Sequence, residues 1–223
     1  MSSFIFFNHT DRDPSFNGKP LNIQVGEVRE PFFVHEPLIR ASSAFFDKAM
    51  AKEWIESKQH TIVLPEDSPK IFALYVHWIY TGKMPVGRDE PGQKSTLEYM
   101  ELVDSYVLGD KILDTNFQNS VMDAIIEKSC IEANDGYLWY PNASVIKHAY
   151  EKTTSSASIR KLLVDMYVKG GISEWLNSTT CPKEFLFSVA SELLRNKKTA
   201  DEPLNSIEYH VHNWDGSIDQ SLS

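Results

Sequence analysis

Residues 21–25, Leu-Asn-Ile-Gln-Val, alternate apolar and polar positions, the period of a half-buried strand. Gly26 and Glu27 can turn the chain, and Phe32, Phe33, Val34 and His35 return as the second strand of a hairpin. Pro31 fits the start of that strand, where its missing N–H matters least. The spacing then changes to helical. Leu38, Ser42, Phe45, Phe46, Ala49 and Met50 predict one apolar-faced helix, with Pro37 in its first turn. Residues 60–64 are β-branched and bounded by Pro65, which predicts a third strand. Ile71, Phe72, Tyr75, Trp78 and Ile79 predict a helix capped by Ser68, with Pro69 at its first position and Gly82 stopping it. Residues 87–92 read as a polar loop.

A capping box, Ser95-Thr96-Leu97-Glu98, predicts the start of a helix that closes near Gly109. Asp114 is placed to cap the next helix, through Phe117, Val121 and Ile125. The order so far is strand, strand, helix, strand, helix, helix, helix. The remainder reads as helical. Asn142 can cap a helix with Val145, Ile146 and Ala149, and Ser158 one with Ile159, Leu162, Leu163 and Met166 that ends at Gly170-Gly171. Pro182 opens a last helix through Leu194, and the composition turns polar after Thr199.

Composition narrows the function. The chain has 223 residues, 42% apolar and 24% charged, a globular balance. Its formal net charge is −9, which disfavours counterion-releasing contacts with nucleic acid and attachment to anionic membranes. Apolar runs are too short to span a bilayer, and Phe4-Ile5-Phe6-Phe7 is too short for a signal-peptide core. Cys130 and Cys181 alone make neither a disulfide framework nor a cysteine-only zinc site. A protein of a reducing, intracellular compartment, cytoplasm or nucleus, is expected. The sequons at Asn8, Asn142 and Asn177 are then expected to stay unused.

Several motifs converge on one family. From Phe33 to Phe46, a strand ends in His35, aliphatics follow at Leu38 and Ile39, a serine at Ser43, and aromatics at Phe45 and Phe46. This resembles the signature of BTB/POZ domains. Residues 62–67 look like that family's next strand and acidic turn. The run through Trp78, Tyr80, Thr81 and Gly82 resembles its aromatic-x-x-Tyr-Thr-Gly helix end, and residues 102–106 with Leu113 its following helix pair. The resemblance covers roughly residues 20–128. The later helices are similar to those following BTB domains in many fungal proteins.

The resemblance implies an α+β fold, a small sheet with a helix cluster at residues 20–130, then an all-α extension at 131–198. Residues 1–19 and 199–223 would flank them as a flexible lead and a mobile tail. It implies a protein–protein interaction module rather than an enzyme, with no cofactor and no metal. His35 would be structural, its ring bonded to nearby backbone, and Ser43 a helix hydroxyl.

In family adaptors that recruit the scaffold cullin-3, a large apolar residue, any residue and a glutamate share one loop. Trp54, Ile55 and Glu56 match that pattern. An aromatic anchor with a register-fixing carboxylate has the make-up of an interface hot spot. The bland alternative is that Trp54 packs on its own domain and Glu56 is solvated. Strand-exchanged homodimers in the family use an extra N-terminal strand and helix. Residues 4–7 could supply the strand, but residues 8–20, with two prolines and a glycine, make a poor helix. A self-associating or transcription-related scaffold is the alternative function. An enzyme using His35 or the tail histidines His210 and His212 is a remote one, for no nucleophile, phosphate loop or His-Glu-x-x-His motif accompanies them. In a strand, His210 and His212 would face the same side and could share an ion.

Overall fold

The computed structural model describes residues 18–51, 60–85, 90–176 and 180–196. Among these residues the sheet has three strands, β1 (Pro20–Val25), β2 (Glu30–His35) and β3 (Thr61–Leu64), in the order β2-β1-β3. The first two form the expected antiparallel hairpin, Leu21 opposite Val34, and Gly26 turns it at φ +78°. The third lies parallel to β1, Ile23 opposite Ile62. Parallel neighbours need a crossover, and the helices after β2 lie within it. Pro31 sits on an outer strand, where no ladder bond is lost. Leu21, Ile23, Val25, Val34, Ile62 and Leu64 are buried on the inner face.

The single helix expected after His35 is two. Helix α1 (Glu36–Ser42) stops at Ser43, whose backbone is extended at φ −115° and ψ 122°, and α2 (Ala44–Ala49) begins there. Ser43 is therefore a helix break and not a helix hydroxyl. Its Oγ accepts from the Phe46 N–H at 3.3 Å and donates to the Ile112 carbonyl at 2.5 Å. The Phe45 N–H reaches the same carbonyl at 3.3 Å. A helical Ser43 could not meet that distant oxygen, so tertiary docking overrides the 3.6 period.

Helix α3 (Pro69–Thr81) ends as expected, Gly82 at φ +68° returning its N–H to the Trp78 carbonyl at 2.7 Å. The Ser68 side chain makes no cap bond. Helix α4 (Gln93–Lys111) begins before the proposed capping box and runs past Gly109. Ser95 and Glu98 lie inside it, both buried. Gly109 lies within it, and helix α5 (Thr115–Ser129) crosses so close by that a Cβ there would lie 2.7 Å from Gln118 Cγ. The aromatics form a continuous interior. Phe46, Phe72, Tyr75, Trp78 and Phe117 follow one another at ring distances of 4.9–6.4 Å. Phe45 packs on its margin, half-buried.

Among the described residues three more α-helices follow: α6 (Ala143–Lys152), α7 (Ser158–Gly170) and α8 (Lys183–Asn196). Asn142 caps α6 as expected, accepting from Ser144 and Val145. At α7 the cap position belongs to Ala157, and Ser158 is already helical. A short 3-10 turn at Ser173–Leu176 was not legible in the apolar spacing. The extension rests on α4. Tyr99 donates to the Trp139 carbonyl at 2.7 Å, Asn142 to Thr96 Oγ1 at 2.9 Å, and His148 Nε2 meets Asp104 Oδ1 at 2.6 Å.

Candidate functional site

Two of the signature residues, far apart in sequence, form a clasp. His35 ends β2 and Tyr80 lies in the last turn of α3, yet they meet. The Tyr80 hydroxyl accepts from the His35 N–H at 3.1 Å and lies 2.7 Å from His35 Nδ1. The ring of His35 is thus held by a side chain from the distant end of α3. Their rings also meet edge to face at 5.8 Å. Leu38 is half-buried and Ile39 fully buried in α1, and Gly82 turns the chain away after Tyr80. Removing the hydroxyl alone, Tyr80→Phe, is expected to cost about 1 kcal/mol, one hydrogen bond's net worth, measured by urea denaturation.

A second clasp joins the helices. Asp114 is buried, and its carboxylate accepts from the Phe117 N–H at 3.0 Å, from Tyr75 Oη at 3.0 Å and from Ser42 Oγ. It therefore ties α1 and α3 to the start of α5. Burial, reinforced by the Asp114 charge, pushes the Tyr75 phenol far up, so it stays a protonated donor. Leu113, just before, takes φ +55° to swing the chain between α4 and α5.

Against this scaffold the exposed chemistry is contact chemistry. On the outer face of the sheet, Pro31, Phe33 and Val63 are exposed, Phe33 to 65%. Near the β2–α1 junction, Glu36, Arg40, Asp47 and His60 form a charged patch: Arg40 bridges Glu36 and Asp47, each at 2.9 Å, and His60 Nε2 lies 3.3 Å from Glu36. These carboxylates hold the Arg40 guanidinium pKa above its ordinary value. The anchor Trp54, Ile55 and Glu56 falls between α2 and β3 and lies outside the described residues, as do His210 and His212.

The extension holds a cleft of about 580 Å³ lined by Tyr137, Leu138, Trp139, Tyr140, Tyr167 and Trp175 among others. Two of its polar groups bond within the fold. Tyr167 donates to the Pro141 carbonyl at 2.7 Å, and Trp139 Nε1 to Asp135 at 3.1 Å. Burial pushes the Tyr167 phenol pKa up, so it carries no charge at neutral pH. The cleft presents ring surface, not an acid–base pair. No group of three or more histidine, cysteine, aspartate or glutamate side chains placed to hold a metal occurs among the described residues. No described helix is long and apolar enough to cross a membrane.

A hairpin, a helical stretch, a third strand and a helix ended by Tyr-Thr-Gly are the elements the motifs implied; the break at Ser43 and the parallel placement of β3 were not among them. The model of the BTB/POZ domain family matches residues 21–112. The chain carries a BTB/POZ domain. Comparison with curated proteins finds no match. The BTB/POZ domain is a protein–protein interaction module, and the matched stretch runs from the second residue of β1 through α4 and holds both partners of the His35–Tyr80 clasp. Sequence reasoning did not find the Asp114 hub beyond its capping role. Ser42 and Tyr75 stand 72 and 39 residues from Asp114, and no local pattern links them.

Proposed function

We propose that this chain is a substrate adaptor whose BTB/POZ domain recruits the scaffold cullin-3 to a ubiquitin ligase. The observation that carries the reading is the triplet Trp54-Ile55-Glu56, set inside the matched domain between the end of α2 and the start of β3. A large ring can fill an apolar pocket on the partner while a carboxylate two residues on fixes register. Such anchors cluster their energy in a few side chains, each worth about 2 kcal/mol or more. Trp54→Ala with Glu56→Ala is therefore expected to weaken cullin-3 binding at least about 30-fold in a titration, given about 1.4 kcal/mol per tenfold. Absence of cullin-3 binding by the unaltered chain would overturn the proposal, and so would equal binding by the double variant.

A second reading, a self-associating scaffold, draws support from the sheet. β2 is an outer strand with a free edge among the described residues, and Pro31, Phe33 and Val63 lie exposed on the open face. Light scattering that gives a monomer at high micromolar concentration would remove it.

A further inference from the structure

The aromatic cleft of the extension is held in shape by its own local bonds. Glu132 bridges Leu138, the Ala133 N–H donates to the Tyr137 carbonyl at 3.0 Å, and Gly136 turns the chain between them at φ +79°. Asp135 accepts from the Tyr137 N–H at 3.1 Å, which fixes the tip. This turn presents Tyr137, 71% exposed, and Leu138, also exposed, to the cleft. The other rings pack directly on one another, Tyr140 on Trp175 at 5.2 Å and Trp175 on Tyr167 at 5.8 Å. Gly170, at the end of α7, leaves room for them, since a Cβ there would lie 2.8 Å from Tyr140 Oη.

Three features describe an occupant. The volume, about 580 Å³, falls in the range of ligand sites, roughly 300–1,000 Å³, and among the described residues no charged side chain lines it. The Tyr140 hydroxyl and the Trp175 indole N–H have no hydrogen-bond partner among the described residues, so two donors stand among ring faces. Glu132 and Asp135 are exposed and have no cation partner among the described residues, and Asp135 lies 3.1 Å from Nε1 of Trp139 in the lining. A polyproline II strand suits all three. Its carbonyls carry no internal bond and take donors, its rings lie on aromatic side chains, and it arrives already ordered. Carboxylates at the rim favour a cation at the end of that strand. A lone methylated lysine suits the cleft less well, because it needs rings set around one charge and these rings fill one another's faces.

We propose that this cleft binds a proline-rich peptide of another protein in polyproline II form, with an arginine or lysine beside its prolines held by Glu132 and Asp135. The site does not depend on cullin-3 recruitment.

The test is an anisotropy titration of the full chain, without cullin-3, against a labelled decapeptide of eight prolines and two terminal arginines. Saturable binding in the micromolar range is expected. Exchanging the arginines for glutamates, or the prolines for alanines, is expected to weaken it at least about tenfold. Tyr140→Phe removes a hydroxyl that has no partner in the fold, and is expected to weaken binding roughly 2–10-fold at an unchanged urea midpoint. Tyr137→Ala, at an exposed site, is expected to weaken it at least about tenfold. Glu132→Gln with Asp135→Asn keeps the acceptor oxygens and is expected to abolish the preference for arginine over glutamate. No binding of the first peptide at about 1 mM would overturn the proposal. So would equal affinity for the alanine peptide, unchanged binding by both tyrosine variants, or tighter binding of a proline-free trimethyllysine peptide.

Discussion

Replacing Lys128 by alanine is expected to destabilise the protein by about 3–5 kcal/mol, the usual cost of stranding one partner of a buried ion pair. Lys128, in the last turn of α5, places its ammonium 2.6 Å from Glu98 Oε2 in α4, and each side chain is only 7% exposed. The same ammonium lies 5.3 Å from the centre of the Tyr99 ring. Without it, the Glu98 carboxylate remains in a site from which water is largely excluded. Coulomb attraction alone does not make the pair stabilising, because desolvating both charges opposes it. Lys128→Met with Glu98→Leu, which removes both charges and keeps apolar bulk, is therefore expected to fall within about 1 kcal/mol of the unaltered protein. Urea denaturation of Lys128→Met, of Glu98→Leu and of the double variant gives the coupling directly. A loss below about 1 kcal/mol for Lys128→Ala would show that water reaches Glu98. The effect is expected to spread, because Tyr99 also holds the Trp139 carbonyl of the extension. Amide exchange in residues 137–143 is expected to speed up in the alanine variant.

The Lys128–Glu98 pair also shows where sequence reasoning stopped. Glu98 read as the far end of a capping box, because Ser-x-x-Glu before an apolar run is a common helix start. The helix begins at Gln93, however, and Glu98 turns inward to meet a lysine 30 residues on. Local grammar cannot see such a partner. The same holds for Ser43, where helical spacing continued through the position but the Ile112 carbonyl drew its hydroxyl out of the helix. Signals that act within one turn of chain were legible: Gly82 as a left-handed stop, Asp114 and Asn142 as caps, the Leu21–Val25 alternation as a strand. The parallel placement of β3 was not, because β1 and β3 pair across some forty residues of chain and no local pattern records that pairing. The His35–Tyr80 clasp was legible in its parts only. Both residues stood out through the family resemblance, and their contact is a property of the fold.

Asp114→Ala is expected to cost about 3–4 kcal/mol, from a lost helix cap of about 1 kcal/mol and the orphaning of donors at about 1–3 kcal/mol each. The two donors differ. Tyr75 is fully buried, so no water replaces the carboxylate at its hydroxyl. Ser42 is half-exposed and can turn to solvent, so its share is smaller. Asp114→Asn keeps an oxygen for the Phe117 N–H and is expected to lose only about 1–2 kcal/mol, the difference between a charged and a neutral acceptor. Tyr75→Phe removes a donor but leaves the carboxylate its other two bonds, and is expected to cost about 1 kcal/mol. In the double variant Tyr75→Phe with Asp114→Ala, the tyrosine substitution should then add little, because the orphaned hydroxyl is gone. That non-additivity, read from urea midpoints at constant slope, separates the hub from a simple cap. Full additivity would mean that Asp114 acts on α5 alone and that α1 and α3 are held by packing. A coupled result would make this carboxylate the point where the broken helix, the aromatic core and the α4–α5 turn are fastened together. Helix α2, which leads into the segment where cullin-3 binding is proposed, starts from that fastening, because Ser42 and Ser43 are both anchored to the α4–α5 turn. Asp114→Ala is accordingly expected to weaken cullin-3 binding even at temperatures where the chain stays folded.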